Sequence, residues 1–150
     1  MKQRIVIVGG PSRGKSTLAH ELHEKTGVPV FCGDPASKVE FQKPYTVYLP
    51  EGLPFAGDNG PSVWIMENWL PMPGPWILEG HVMARALRRW ARSHPNGFPC
   101  DRVIVLAREA HRATTPGQEA MHKGVMKVWS EIALRFAPIT EFRRVPEATK

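Results

Sequence analysis

The chain has 150 residues, 42% hydrophobic and 23% charged, which suits one soluble globular domain whose core needs no disulfide or metal staple. The two cysteines, Cys32 and Cys100, fit no metal spacing and read as reduced thiols, and Met1 runs almost at once into a core strand, so no signal peptide or membrane span is expected and the cytoplasm is the expected compartment. The formal charge of +6 lies wholly in the second half: residues 1–75 carry seven Lys/Arg and seven Asp/Glu, residues 76–150 thirteen and seven, which points to an anionic partner, polymeric or a set of small phosphates.

Arg4-Ile5-Val6-Ile7-Val8 is a β-branched run expected to form a buried strand. Gly9-Gly10-Pro11-Ser12-Arg13-Gly14-Lys15-Ser16 follows, with the spacing G-x-x-x-x-G-K-[ST]. Ser16 to Lys25 reads as a helix with Leu18, Ala19 and Leu22 on one side, and Gly27 is placed to end it. Strand, glycine loop and helix N-terminus in that order make a phosphate cradle of inward backbone N–H groups. Gly9 through Thr17 are therefore expected to hold ATP or another nucleoside triphosphate. Lys15 would sit on the β- and γ-phosphates, and the Ser16 hydroxyl on Mg²⁺.

Val28 to Cys32 is expected as a second strand, ending at Gly33-Asp34-Pro35 and neighbouring the first. Residues 36–42 suit one or two helical turns that bring Lys38 close to Asp34. Residues 43–75 hold seven of the fifteen prolines together with Tyr45, Tyr48, Phe55, Trp64 and Trp69. Proline at that density predicts an irregular insert, with one short helix from Asp58 or Asn59 to Leu70 and Pro61 in its first turn. The aromatic content argues against disorder and for a substrate-binding role.

Trp76 to Gly80 reads as a third strand ending in the carboxylate of Glu79. A helix from His81 to Ser93 carries Arg85, Arg88, Arg89 and Arg92 as a cationic stripe. Arg102 to Leu106 is a fourth buried strand, with Arg108 and Arg112 just beyond it. Thr115-Pro116-Gly117-Gln118 has the form of a capping box and opens a helix that Pro138 closes. Ile139 to Val145 offers a last strand. The alternation predicts an α/β fold in three layers, a central, mainly parallel five-stranded sheet with helices on both faces and the site at the strands' carboxyl ends. No repeats interrupt it, and residues 1–150 form a single domain.

Phosphoryl transfer also needs an acceptor site and a means of stabilising transferring charge. Asp34 is placed to accept the proton of an acceptor hydroxyl, with turn formation as the plainer role of Gly-Asp-Pro. Glu79 is placed near Mg²⁺, with helix capping or pairing with the neighbouring arginines as its alternatives. Arg108 and Arg112 can lean over the γ-phosphoryl group or be solvated loop charges. Arg85 and Arg89 can grip substrate phosphates, and Trp64 and Trp69, with Tyr45 and Tyr48, can stack on a base as a cluster in the insert; taken singly, each aromatic suits core or cover better than a platform. Among six histidines without metal spacing, only His81 falls near the expected site.

With these residues in view the chain resembles the P-loop kinase superfamily of small phosphotransferases: nucleoside and nucleotide kinases, shikimate kinase and polynucleotide 5′-kinases. Gly9–Ser16, Asp34 with Lys38, Ile77-Leu78-Glu79-Gly80 and the arginines after the fourth strand carry the resemblance. It implies a P-loop kinase-like fold with Asp34 as base and Lys38 as its basic companion. The third strand of nucleotide kinases usually ends in Asp-Gly, where this chain has Glu79-Gly80. The run from Ala56 through Asp58, Asn59 and Trp64 to Trp69-Leu70-Pro71 is similar to phage DNA kinases that phosphorylate 5-hydroxymethyluracil in DNA. That resemblance implies Asp58 and Asn59 as substrate contacts, DNA carrying a hydroxymethylated base as partner, and the host cytoplasm as location. A kinase of free nucleosides, nucleotides or polynucleotide 5′-ends, and a nucleotide-dependent switch protein, are the alternatives. The oligomeric state is not legible.

Overall fold

In the computed structural model, residues 3–10, 13–35, 43–53, 60–106 and 115–143 are described. Strand β1 (Arg4–Val8) occupies the middle of a six-stranded sheet, and the chain then builds outward and back. Helix α1 (Lys15–Thr26) leads to β2 (Val30–Pro35), and β3 (Thr46–Leu49) forms one edge. Helix α2 (Pro61–Asn68) returns the chain to β4 (Trp76–Glu79), which inserts between β2 and β1. Helix α3 (Met83–Ser93), β5 (Arg102–Val105), α4 (Pro116–Phe136) and β6 (Thr140–Phe142) complete the other half. The order is β3-β2-β4-β1-β5-β6, and every pairing is parallel.

A parallel sheet covered on both faces has to be apolar on both. Val6 and Val8 of β1 face a large cluster with Leu78, Met83, Leu87, Val103 and Trp129, built on α2, α3 and α4. Ile5 and Ile7 face the opposite side with Leu18, Ala19, Ile77 and Ile104, where α1 is the covering helix. Among the described residues the layers are thus unequal, one helix against three.

Three expectations need correction. The sheet has six strands rather than five. The extra one, β3, lies inside the stretch read as an irregular insert, between Pro44 and Pro50. As an edge strand it buries Leu49 but exposes Val47, so it lacks the continuous apolar run that marks the buried strands. The second strand does not neighbour the first, because β4 separates them. Local starts and stops followed their chemistry more closely. Gly27 ends α1 with φ 73° and its N–H on the His23 carbonyl at 2.7 Å, and Thr115 with Gln118 forms the reciprocal capping box of α4. Among the described residues no helix is long and apolar enough to cross a membrane.

Candidate active site

β1 delivers the chain to the glycine loop at the carboxyl edge of the sheet. Gly9 passes the end of β5 so closely that a Cβ there would lie 3.1 Å from the Leu106 carbonyl oxygen. Gly14 takes φ 92°, a left-handed turn that suits glycine, and starts α1 at Lys15. Lys15 is buried, and its Nζ donates to the Gly10 carbonyl at 2.7 Å. Burial pushes its ammonium below the ordinary lysine value, while the Glu79 and Asp34 carboxylates pull it back up. Pro11 and Ser12 lie outside the described residues; Ser16 and Thr17 are exposed in the first turn of α1.

β2 and β4 bring the acidic groups to the same edge. Cys32 is in register with Glu79 at the end of the β2–β4 pairing, and just beyond it Gly33 lies against Gly80 and Asp34 against His81. The two glycines are what permit this approach. Gly80 has φ 145°, and a Cβ on it would meet the Gly33 backbone at 3.1 Å. One residue past each glycine, His81 Nε2 and Asp34 Oδ1 lie in hydrogen-bond contact at 2.9 Å, an ion pair when the imidazole is protonated, both partly open to solvent. Burial would raise the Asp34 carboxyl, but the His81 hydrogen bond and charge, with Lys15 behind them, hold it below the ordinary carboxylate value. Glu79 is buried, and that burial pushes its carboxyl up against the pull of Lys15. Ser16 Oγ donates to Glu79 Oε2 at 3.4 Å.

These donors suit a nucleotide and its metal. A hydroxyl beside a carboxylate is a hard oxygen pair of the kind Mg²⁺ takes when substrate phosphates and water fill the remaining positions. Lys15, held on a carbonyl at the start of the helix, has donors left for phosphate. Among the described residues no group of three or more His, Cys, Asp or Glu could hold a metal ion.

No protein-family model matches the sequence, and no curated protein matches it. Among solved structures, a shikimate kinase from Acinetobacter baumannii in complex with shikimate superposes with a TM-score of 0.52 at 12% identity, covering 93% of this chain and 81% of that one. The chain has a shikimate kinase-like fold. At that identity the likeness concerns the arrangement of sheet and helices.

Within this shikimate kinase-like frame, Lys15, Ser16, Asp34, Glu79 and His81 come together, whereas other expected residues do not. Trp69 is only 4% exposed and packs on Phe31 and, edge to face, on half-buried Trp64 at 5.3 Å between ring centres. Trp69 is thus a core side chain and not an open stacking surface. Tyr45 stacks on His23 at 4.1 Å, and the Tyr48 hydroxyl accepts from Lys43 N. The arginine stripe is divided. Arg88 pairs with Glu131 of α4 and Arg89 Nε donates to Ser62 Oγ of α2, while Arg85 and Arg92 are exposed. Lys38, Asp58, Asn59, Arg108 and Arg112 lie outside the described residues.

Two neighbours escaped the sequence reading. Cys32 reaches Asp34 Oδ2 at 3.9 Å, and its thiol is pushed up by burial and then by the two carboxylates, so it remains protonated. Its place two residues before Asp34 on one strand was a legible signal, since alternate residues share a face. His122 touches Gly10 from across the fold, with no local sequence sign of it.

Proposed function

We propose that the protein is an ATP-dependent phosphotransferase that moves the γ-phosphoryl group to a hydroxyl. What supports this best is the Asp34–His81 pair standing at the sheet edge beside Lys15. A protein that only bound or switched on nucleotide would need the loop but not a second, solvent-open carboxylate held ionised. In this reading Lys15 and the loop amides orient the triphosphate. Ser16 and Glu79 hold Mg²⁺, which when bound neutralises charge on the phosphates. Asp34 accepts the proton of the acceptor hydroxyl as its oxygen bonds to the γ-phosphorus and the bond to the β-phosphate oxygen breaks, leaving ADP. His81 keeps Asp34 ionised and orients it. Arg108 and Arg112 are assigned to the charge that develops on the transferring group.

For the acceptor we propose the hydroxymethyl group of 5-hydroxymethyluracil in DNA. This finer reading is supported by the resemblance of residues 56–71 to phage DNA kinases and by the positive excess of residues 76–150. A second reading, a small acceptor such as a free nucleoside, is favoured by the burial of Trp69 and the engagement of Arg88 and Arg89 within the fold. Transfer from γ-labelled ATP to a panel of hydroxymethyluracil DNA with blocked 5′ ends, unmodified DNA, RNA and free nucleosides separates them. Label on the modified DNA supports the first reading. Equal or faster labelling of the free nucleoside replaces it with the second, and no transfer to any acceptor removes the phosphotransferase reading.

A further inference from the structure

Helix α4 grips the glycine loop at two points. His122 Nδ1 accepts the Gly10 backbone N–H at 3.1 Å, and Glu119, three residues earlier, accepts from Arg13 at 3.0 Å. His122 is 9% exposed and Arg13 3%. The contact is tight: a Cβ on Gly10 would collide with the Cα and Cβ of His122. Gly10 is therefore fixed on both sides, its N–H by α4 and its carbonyl by the Lys15 ammonium.

We propose that His122 is a positioning residue for the phosphate-binding loop: its neutral imidazole orients Gly10, and through it Lys15, so that its protonation weakens nucleotide binding. The inference rests on the reading of the loop as a nucleotide site. Only an unprotonated Nδ1 can accept; a protonated ring would turn an N–H toward the Gly10 N–H. Burial opposes that protonation first. Of the charged groups that bear on the ring, Arg13 on the loop and Lys15 on α1 oppose it as well, and Glu119 on α4 favours it. The balance holds His122 below its ordinary 6.5, so the contact is intact at neutral pH and is lost as pH falls through that lower value.

Two substitutions separate positioning from mere filling of space. H122Q keeps an acceptor oxygen but cannot titrate; H122L removes the acceptor and leaves the Gly10 N–H buried and unsatisfied. ATP dissociation constants by calorimetry from about pH 8 to pH 5 would be compared with H122Q as reference, because ATP's own terminal phosphate titrates near pH 6. The expected result is a wild-type affinity that falls about ten-fold more than that of H122Q on acidification, and an H122L affinity about ten-fold weaker at neutral pH. Identical pH profiles for wild type and H122Q, or wild-type affinity in H122L, would overturn the proposal. Hydrogen exchange of the Gly10 amide without nucleotide tests the contact itself. Protection, measured relative to the intrinsic rate at each pH, should be high in wild type at neutral pH and fall on acidification, but not in H122Q; protection that is independent of pH in both overturns the inference. Absence of ATP binding by wild type at every pH would instead overturn the reading of the loop, with the exchange data still deciding the role of His122 in the apo protein. If H122L does not fold, the wild-type and H122Q comparison decides alone.

Discussion

Lys15 and Asp34 are both charged groups held in a half-dry place, and each is tuned by its neighbours rather than by burial alone. In the proposed reaction, removing the Lys15 ammonium leaves the β- and γ-phosphates without their point charge. Lys15→Ala should therefore abolish transfer, and wild-type-like turnover would take the loop out of the mechanism. His81 gives a pH prediction with a definite sign. In wild type Asp34 lies below its ordinary 3.8, so its ionised carboxylate, the proposed base, is present throughout the neutral range and is lost only as pH falls through that depressed value. His81→Ala removes the two strongest lowering influences and leaves burial, which raises, against the weaker pull of Lys15 and Cys32. The acid limb of kcat/KM should then move to higher pH, and an unmoved limb would show that His81 does not hold Asp34 ionised. The glycine loop between β1 and α1 was legible because its residues are contiguous and their spacing is fixed. The His81–Asp34 and His122–Gly10 contacts were not, since both depend on which strands and helices become neighbours.

At the scale of elements, the site exists because β2 and β4 approach without side chains between them. Gly80→Ala would add a methyl group against the Gly33 backbone at a φ of 145° that L-residues rarely adopt. It should cost about 1–3 kcal/mol of stability and lower transfer by separating Asp34 from His81. Unchanged thermal midpoint and turnover would contradict that account of the strand ends. Thr115→Ala should behave differently. It removes the side-chain acceptor for Gln118 N and should cost about 1 kcal/mol by denaturant titration while leaving the chemistry to the loop and strands. The capping box was readable from four consecutive residues. β3 was not, because a short edge strand with one exposed valine has the pattern of a loop flanked by prolines. The insertion of β4 between β2 and β1 was likewise hidden, since strand order is set by packing over the whole sheet and not by any local run.

On the scale of the molecule, the positive excess of the second half is partly consumed inside the fold. Arg88, Arg102 and Arg135 are spent on Glu131, Glu141 and the backbone carbonyls of His94 and Gly97. Arg85 and Arg92 stay at the surface of α3. If DNA carries the acceptor, reversing these two to Glu should weaken DNA binding and flatten its dependence on salt, while ATP binding is kept. An unchanged salt slope would place any nucleic acid elsewhere. The α/β class and the three layers were legible from alternating strand and helix patterns; whether surface arginines serve a polymer was not, because sequence spacing cannot say which carboxylate sits opposite.

The central claim is that Asp34 takes the acceptor's proton in phosphoryl transfer. It is tested most directly by Asp34→Asn, measured for single-turnover transfer from γ-labelled ATP and for ATP affinity on the same preparation. The amide keeps the shape and loses the base. Transfer should fall by about 10²–10⁴ with ATP affinity nearly unchanged. Undiminished transfer, or a loss confined to ATP affinity, would contradict the assignment and return Asp34 to the metal and nucleotide side of the site.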